Sequence, residues 1–160
     1  MIQFQIEKSD EKIRSWDKYF FTVCNAVASK SPCMSRKVGA ILVRDHSIVS
    51  TGYNGPARGI PHCTGSQCPR RDMGFKSGEG LDHCPAQHGE ENAVTNAARN
   101  GASTLGCTLY LNTQTPCKDC FSTLINAGIV EIVCTNLINY DKLTCFIIDN
   151  SNIKIREFEL

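Results

Sequence analysis

No stretch of this 160-residue chain approaches the roughly 20 consecutive apolar residues that a membrane-spanning helix needs. Its opening, Met1-Ile2-Gln3-Phe4-Gln5, lacks the basic start and apolar centre of an export signal, so the expected location is the cytoplasm. An excess of one charge is also missing: 17 Lys and Arg face 16 Asp and Glu, leaving a net +1. Without a strong positive field, a protein that works by gripping a nucleic-acid backbone is disfavoured. No internal repeat and no linker divides the sequence, and residues 1–160 have the length of one domain. Hydrophobic residues at 41% and charged residues at 21% exclude a disordered composition.

What the chain has in quantity is cysteine: ten residues, at positions 24, 33, 63, 68, 84, 107, 117, 120, 134 and 145. A secreted miniprotein would use them as disulfides. Here the length is enough to bury a core without staples, and no export signal is present. Metal ligation for some and burial as small apolar side chains for the rest is the better reading. Cys24, Cys107, Cys134 and Cys145 fall inside apolar stretches and are expected in the core. Cys33, Cys63, Cys68, Cys84, Cys117 and Cys120 then need another explanation.

Trp16, Tyr19, Phe20, Val23 and Val27 recur at helical spacing, which predicts an amphipathic helix over Ser15–Ala28. The apolar runs 38–43 and 48–53 flank the turn Arg44-Asp45-His46-Ser47, the pattern of a β-hairpin. From about 55 to 87 the apolar period vanishes and Gly, Pro, Cys and His crowd together, the texture of an insertion that something must fasten. Order returns with a helix over Glu90–Arg99 that Asn100-Gly101 ends, and a strand over Thr108–Leu111. Thr115 and Pro116 read as N-cap and first residue of a helix reaching Ala127. A strand over Val130–Cys134, a helix near 141–148 and a strand over Ile153–Phe158 complete the chain. Strand–helix–strand units imply parallel neighbours, and the hairpin adds an antiparallel pair. The expected fold is a three-layer α/β/α sandwich around a mixed five-stranded sheet.

Two clusters sit at helix starts: His88-Gly89-Glu90, and Pro116-Cys117-Lys118-Asp119-Cys120. Residues three apart share a helix face, so Cys117 and Cys120 can reach one ion, and a helix N-terminus favours their thiolates. With His88 they supply three zinc ligands and leave a fourth position for water, the catalytic arrangement. Zinc would bring that water's pKa toward about 7, and Glu90 would carry its proton to a ring nitrogen and then to a leaving amine. A closed structural site or a redox Cys-x-x-Cys pair has no need of an acid two residues from a third ligand. H-x-E … P-C-x-x-C is the signature of zinc nucleobase deaminases.

The chain resembles the deoxycytidylate (dCMP) deaminases of the cytidine deaminase superfamily over Trp16 to about Lys142. Besides the zinc motifs, the resemblance is carried by Lys37-Val38-Gly39-Ala40, Thr51-Gly52-Tyr53-Asn54-Gly55, Ala97-Ala98-Arg99-Asn100-Gly101 and Tyr140-Asp141-Lys142. It implies deamination of dCMP to dUMP, with Asn54 on the sugar or base, the residues before Val38-Gly39 (Ser35, Arg36, Lys37) near the phosphate, and Val38 among the substrate contacts. Tyr140 would cover the base. It also implies homo-hexamers regulated by dCTP and dTTP, a Mg ion accompanying the triphosphate, and effector or subunit roles for Gly52, Tyr53, Gly55 and Arg99. Other substrates in the same superfamily (dCTP, cytidine, free cytosine, or tRNA and single-stranded nucleic acid) are the alternatives. Gly89 departs from the family, which usually has Ala there; the fungal cytosine deaminases also carry His-Gly-Glu.

Cys33 and Cys63 match positions that hold a second, structural zinc in some microbial relatives. The carboxylate expected two residues before His88 is absent, because that position is Ala86. Cys33, Cys63, Cys68 and Cys84 are therefore the expected ligands, with His62 or His83 as substitutes, and such a site would pin the insertion. Arg58, Arg70, Arg71 and Arg99 could each meet phosphate, but each taken alone reads better as a solvated surface arginine. His46 falls in the hairpin turn and has no assigned role.

Overall fold

A computed structural model describes residues 2–63, 67–138 and 142–160. Tyr140 lies outside the described residues. Helix α1 spans Ile2–Ala28, starting well before the apolar stripe, since no Gly or Pro interrupts residues 2–15. Strands β1 (Gly39–Arg44) and β2 (Ser47–Tyr53) form the expected hairpin. Asp45 and His46 close it with φ of 50° and 59°, the left-handed pair that suits the twist of a two-residue turn.

The insertion is not structureless. Strand β3 (Gly55–Pro56) pairs antiparallel with β4 (Ala86–Gln87), a two-residue ladder that zips the neck. Between them lie a helical turn α2 (Pro69–Asp72) and a 3₁₀ turn over Leu81–His83. Then come α3 (Gly89–Arg99), β5 (Thr108–Leu111), α4 (Lys118–Asn126), β6 (Glu131–Cys134), α5 (Lys142–Asp149) and β7 (Lys154–Glu157).

The five-stranded sheet has the order β2-β1-β5-β6-β7. Strand β1 lies antiparallel to both β2 and β5, so the β2–α3–β5 crossover skips over it and does not join neighbours. β5, β6 and β7 are parallel. Alternation along the central strands feeds two cores. Ala40, Leu42, Leu109, Leu111 and Ile132 face the side of α3 and α4, while Ile41, Val43, Tyr110 and Val133 meet Phe20 and Cys24 of α1. Both faces of the sheet are thus covered, which is the three-layer arrangement expected.

Cys24, Cys107 and Cys134 are fully buried as expected, but Cys145 is only half-buried. On α5 it is the neighbouring Thr144 that turns inward. Strand β7 is clasped to α1 by Arg156, whose guanidinium donates to both carboxylate oxygens of Asp17 (2.6 and 3.0 Å) and to Glu131 (3.2 Å).

Candidate active site

α3 is pressed unusually close to β2. Asn92 and Asn96 donate from their side-chain amides to the carbonyls of Tyr53 and Thr51 (2.8 Å each), and the Ser50 hydroxyl donates to the Ala93 carbonyl at 2.7 Å. Gly52 permits this contact. A Cβ there would stand 2.2 Å from the backbone nitrogen of Ala93 and 2.3 Å from the carbonyl oxygen of Gly89. At Gly89 itself a Cβ would meet Val38 Cγ1 at 3.3 Å, so the His-Gly-Glu sequence is not forced by lack of space.

His88 and Cys117 occupy the N-cap positions of α3 and α4, in extended backbone conformation, and neither side chain is spent on capping. α4 therefore begins later than its Thr115-Pro116 start suggested. Thr115 is drawn away from a capping role: its amide donates to the carbonyl of Asn136 at 3.2 Å and its hydroxyl to that of Ile138. With the caps free, the two helix tips present His88, Cys117 and Cys120 to one point.

His88 Nδ1 lies 3.2 Å from Cys120 Sγ and 3.5 Å from Cys117 Sγ. Ligands at Zn–S of about 2.3 Å and Zn–N of about 2.0 Å in a tetrahedron stand about 3.5–3.8 Å apart, so small adjustments seat zinc among them. Among the described residues this is the one group of three or more potential ligands whose donor atoms all lie within 4.8 Å of one another. Its protons show the same fit. The Cys117 thiol is pulled down to about 4, first by a hydrogen bond from Cys120 and then by one from His88. The hydrogen bond to Cys117 in turn raises His88 to about 9, and Cys120 is pushed up as the thiol that keeps its proton. Two protons thus converge on a thiolate where a divalent cation would replace them.

Glu90, 5% exposed, lies beside this trio in the wall of a cavity of about 610 Å³. Burial pushes its carboxyl up, and the nearby His88 charge only partly opposes the rise. Ser35, Arg36, Val38, Asn54 and Gly55 line the same cavity, whereas Lys37 is exposed and does not. Most of the Asn54 amide is already engaged. Its oxygen accepts from the Val38 amide (2.8 Å) and lies 2.7 Å from the Ser31 hydroxyl, and its nitrogen donates to the Arg36 carbonyl (2.9 Å). One amide hydrogen is left for a ligand.

Cys33, Cys63, Cys68 and Cys84 also line this cavity. The Cys63 thiol is raised by burial first, then by the proximity of Cys68, Cys84 and Cys33. His62 instead lines a second cavity of about 580 Å³, together with Tyr53, Gly55, Arg58 and Arg99. His83 stacks on Phe75 (ring centroids 5.5 Å apart) and sits 3.4 Å from Asp82. His46, in the hairpin turn, stacks on Trp16 at 4.2 Å.

From the sequence Arg70 could meet phosphate but reads better as a solvated surface arginine, and the structure corrects that preference. It is not a surface arginine but 6% exposed, in the wall of the larger cavity. Leu81 of the insertion lines it too. A four-residue turn gives no periodicity from which to tell Arg70 from its exposed neighbour Arg71.

The family described as the cytidine and deoxycytidylate deaminase zinc-binding region matches residues 14–136. Deoxycytidylate deaminase of Schizosaccharomyces pombe is 35% identical over 144 residues, 90% of this chain and 44% of that protein. The Saccharomyces cerevisiae deoxycytidylate deaminase is likewise 35% identical over 90% of this chain and 45% of its own length. The chain therefore spans less than half the length of these two relatives. Against the deoxycytidylate deaminase of Mycobacterium phage D29 the identity is 38%, over 74% of this chain and 92% of the phage protein. In fold, the chain is similar to the dCMP deaminase of cyanophage S-TIM5 solved with dCMP and dUMP, at a TM-score of 0.69 and 24% identity, covering 88% of this chain and 94% of that one. On the match over residues 14–136, which contains all three members of the His88–Cys117–Cys120 trio, the chain belongs to the zinc-binding cytidine and deoxycytidylate deaminase family.

Proposed function

We propose that this chain is a hydrolytic deaminase that converts dCMP and water to dUMP and ammonia. The observation that carries the reading is Glu90, a buried carboxyl beside one imidazole and two thiols on two helix tips. The names of the yeast and phage relatives support the choice of dCMP among cytosine compounds. In this reading residues 1–160 act as one deaminase unit with an insertion at about 55–87.

His88, Cys117 and Cys120 would hold the catalytic zinc, which would supply a nucleophile by lowering the pKa of a water toward about 7. Everything else falls to the chain. Glu90, raised by its burial, is poised to accept a proton from that water and deliver it to N3 of the cytosine. Attack at C4 opens the C4–N3 double bond; Glu90 then takes the remaining proton of the new C4 hydroxyl and gives it to the exocyclic amine, so the C4–N bond breaks, ammonia departs and the C4 carbonyl of uracil remains. Val38 and the remaining N–H of Asn54 border the space the nucleoside occupies. Ser35 and Arg36 lie in the same wall, and in this reading they stand near the phosphate.

A second, structural zinc on Cys33, Cys63, Cys68 and Cys84 is part of the proposal, supported by the presence of all four in the wall of one cavity, where the other three lie near enough to raise the Cys63 thiol. The smaller cavity, with Tyr53, Gly55 and Arg99, is the proposed effector site for dCTP or dTTP with Mg, in a cytoplasmic homo-hexamer. Among the described residues no helix is long and apolar enough to cross a membrane.

Glu90→Gln tests the core of the reading: zinc content should be kept while turnover on dCMP falls at least about 100-fold. Full activity in that variant would refute the proton-carrying role. Two zinc ions per chain are expected, and one would remove the four-cysteine site. Assays with and without dCTP and dTTP test regulation.

A further inference from the structure

Three cations line the larger cavity: Arg36, Arg70 and Lys118. Two are engaged by neighbours. Arg36 donates to the Thr113 hydroxyl and approaches the Gln114 side-chain oxygen at 3.5 Å, and Lys118 pairs with Asp119 at 2.5 Å. Arg70 differs. It is 6% exposed, its Nε is buried without a hydrogen-bond partner, and it makes no ion pair among the described residues. A guanidinium at a cavity wall with a buried, unbonded Nε and no counter-ion is costly, and an anion in the cavity would complete it.

We infer that Arg70 is the cavity's receptor for the 5′-phosphate of the nucleotide substrate, an inference that rests on the dCMP reading above. A cavity of about 610 Å³ is of the size that encloses a small-molecule ligand. One end is fixed by chemistry, since the base must lie against His88 and Glu90. Arg70 reaches the cavity wall from α2, on the insertion, a segment distinct from the helix tips, and is the Arg or Lys of that wall with no protein partner among the described residues. A guanidinium fork matches a phosphate through paired N–H···O contacts, geometry that an ammonium lacks. The insertion would thus select nucleotides over nucleosides, while the helix tips see only the base. No step of the deamination passes through Arg70, so it is a specificity residue and not a catalytic one.

The test compares kcat/KM on dCMP and on deoxycytidine for wild type, Arg70→Gln and Arg70→Lys, with zinc content measured on each. Arg70→Gln should lower kcat/KM for dCMP by about 10- to 100-fold, mainly through KM, and leave deoxycytidine within about 2-fold. Arg70→Lys, which keeps the charge and loses the fork, should fall between, and it carries the comparison if the glutamine variant does not fold. Inorganic phosphate should raise the melting temperature of the wild type and not of Arg70→Gln. An equal loss on both substrates, or lost zinc with both rates depressed, would mean that Arg70 balances the cysteine thiolates, and it overturns the inference. An unchanged dCMP rate overturns it as well. A wild type that fails on dCMP but still binds inorganic phosphate through Arg70 refutes the dCMP reading and leaves the anion site standing.

Discussion

Gly52→Ala is the substitution through which the fold can be shown to set the chemistry. The added Cβ would lie 2.2 Å from the nitrogen of Ala93, 2.3 Å from the oxygen of Gly89 and 2.7 Å from the carbonyl carbon of Asn92. All three are backbone atoms of α3, and none can swing aside. Ordinary contact begins at 3.4 Å, so the helix must retreat by about 1.2 Å (3.4 less 2.2). That movement stretches the hydrogen bonds from Ser50, Asn92 and Asn96 that hold α3 on β2. Overpacking of this kind costs about 1–3 kcal/mol, and weakened hydrogen bonds add about 1 kcal/mol. Melting should fall by about 5–15 °C for a chain of this size.

The consequence for the site is larger than the loss of stability. His88 holds the N-cap position of the displaced helix and Glu90 is its second residue, whereas Cys117 and Cys120, at the start of α4, stay. A displacement of about 1 Å between reacting groups can cost about 100-fold in rate. Gly39→Ala is the control. Its Cβ would stand 2.0 Å from the Cys24 oxygen and 2.6 Å from the Ala28 nitrogen, an equal clash against α1 on the opposite face of the sheet. Thermal melts, zinc content and kcat on both variants separate the effects. Gly52→Ala should lose zinc affinity and at least about 30-fold in kcat below its melting point, with Gly39→Ala losing stability alone. Wild-type turnover in folded Gly52→Ala, or equal losses in both, would refute the claim that this contact places the ligands.

Gly89→Ala should be tolerated: a Cβ 3.3 Å from Val38 Cγ1 asks for a shift of a few tenths of an ångström, and alanine returns up to about 1 kcal/mol of helix propensity. A melting temperature within about 3 °C of wild type and retained activity are expected, and a fall beyond about 5 °C would show that the space is needed. Alkaline pH should unfold the protein through its buried acids. Burial raises Cys24 from 9.0 to about 12, Cys134 to about 11 and Tyr110 from 10.0 to about 12. Above about pH 9 for the thiols and about pH 10 for the tyrosine, the unfolded chain releases these protons while the folded one keeps them, so each contribution is full below that point and falls by up to about 1.4 kcal/mol per pH unit above it. Urea titrations at several pH values should show Cys24→Ala with a slope shallower by up to one proton; an identical slope would rule out Cys24 as a contributor.

The framework of the fold was legible because its central strands are short apolar runs bounded by polar turns, and Thr108–Leu111 stands where the sequence put it. His88, Cys117 and Cys120 were legible for a chemical reason: few arrangements need an imidazole, an acid two residues on and a thiol pair at helical spacing. What was hidden depended on contacts distant in sequence. Thr115 looks like a helix cap until Asn136 and Ile138 claim it. Gly52 read as an effector or subunit residue, since nothing in its neighbourhood reveals that α3 packs against it. The β3–β4 neck joins Gly55-Pro56 to Ala86-Gln87, pairs too short to carry a period. Cys145 looked like core from its apolar neighbours, although α5 turns Thr144 inward.

The two sides of the cavity are held by different means. The helix tips stand on a core in which Ala93, Ala97, Cys120, Phe121 and Leu124 are fully buried, so the ligand trio inherits the stability of the whole sheet. The insertion has no such support: between residues 57 and 87 only Cys63 and Arg70 are buried among the described residues. Apolar burial cannot order that segment, and its two-residue neck contributes little. Ordering must come from bonds at the cysteines and from a ligand at Arg70, the two interactions proposed for it. It follows that the wall which reads the phosphate is the less stable half. Selectivity between nucleotide and nucleoside should then be lost under mild perturbation while the machinery for deamination remains intact.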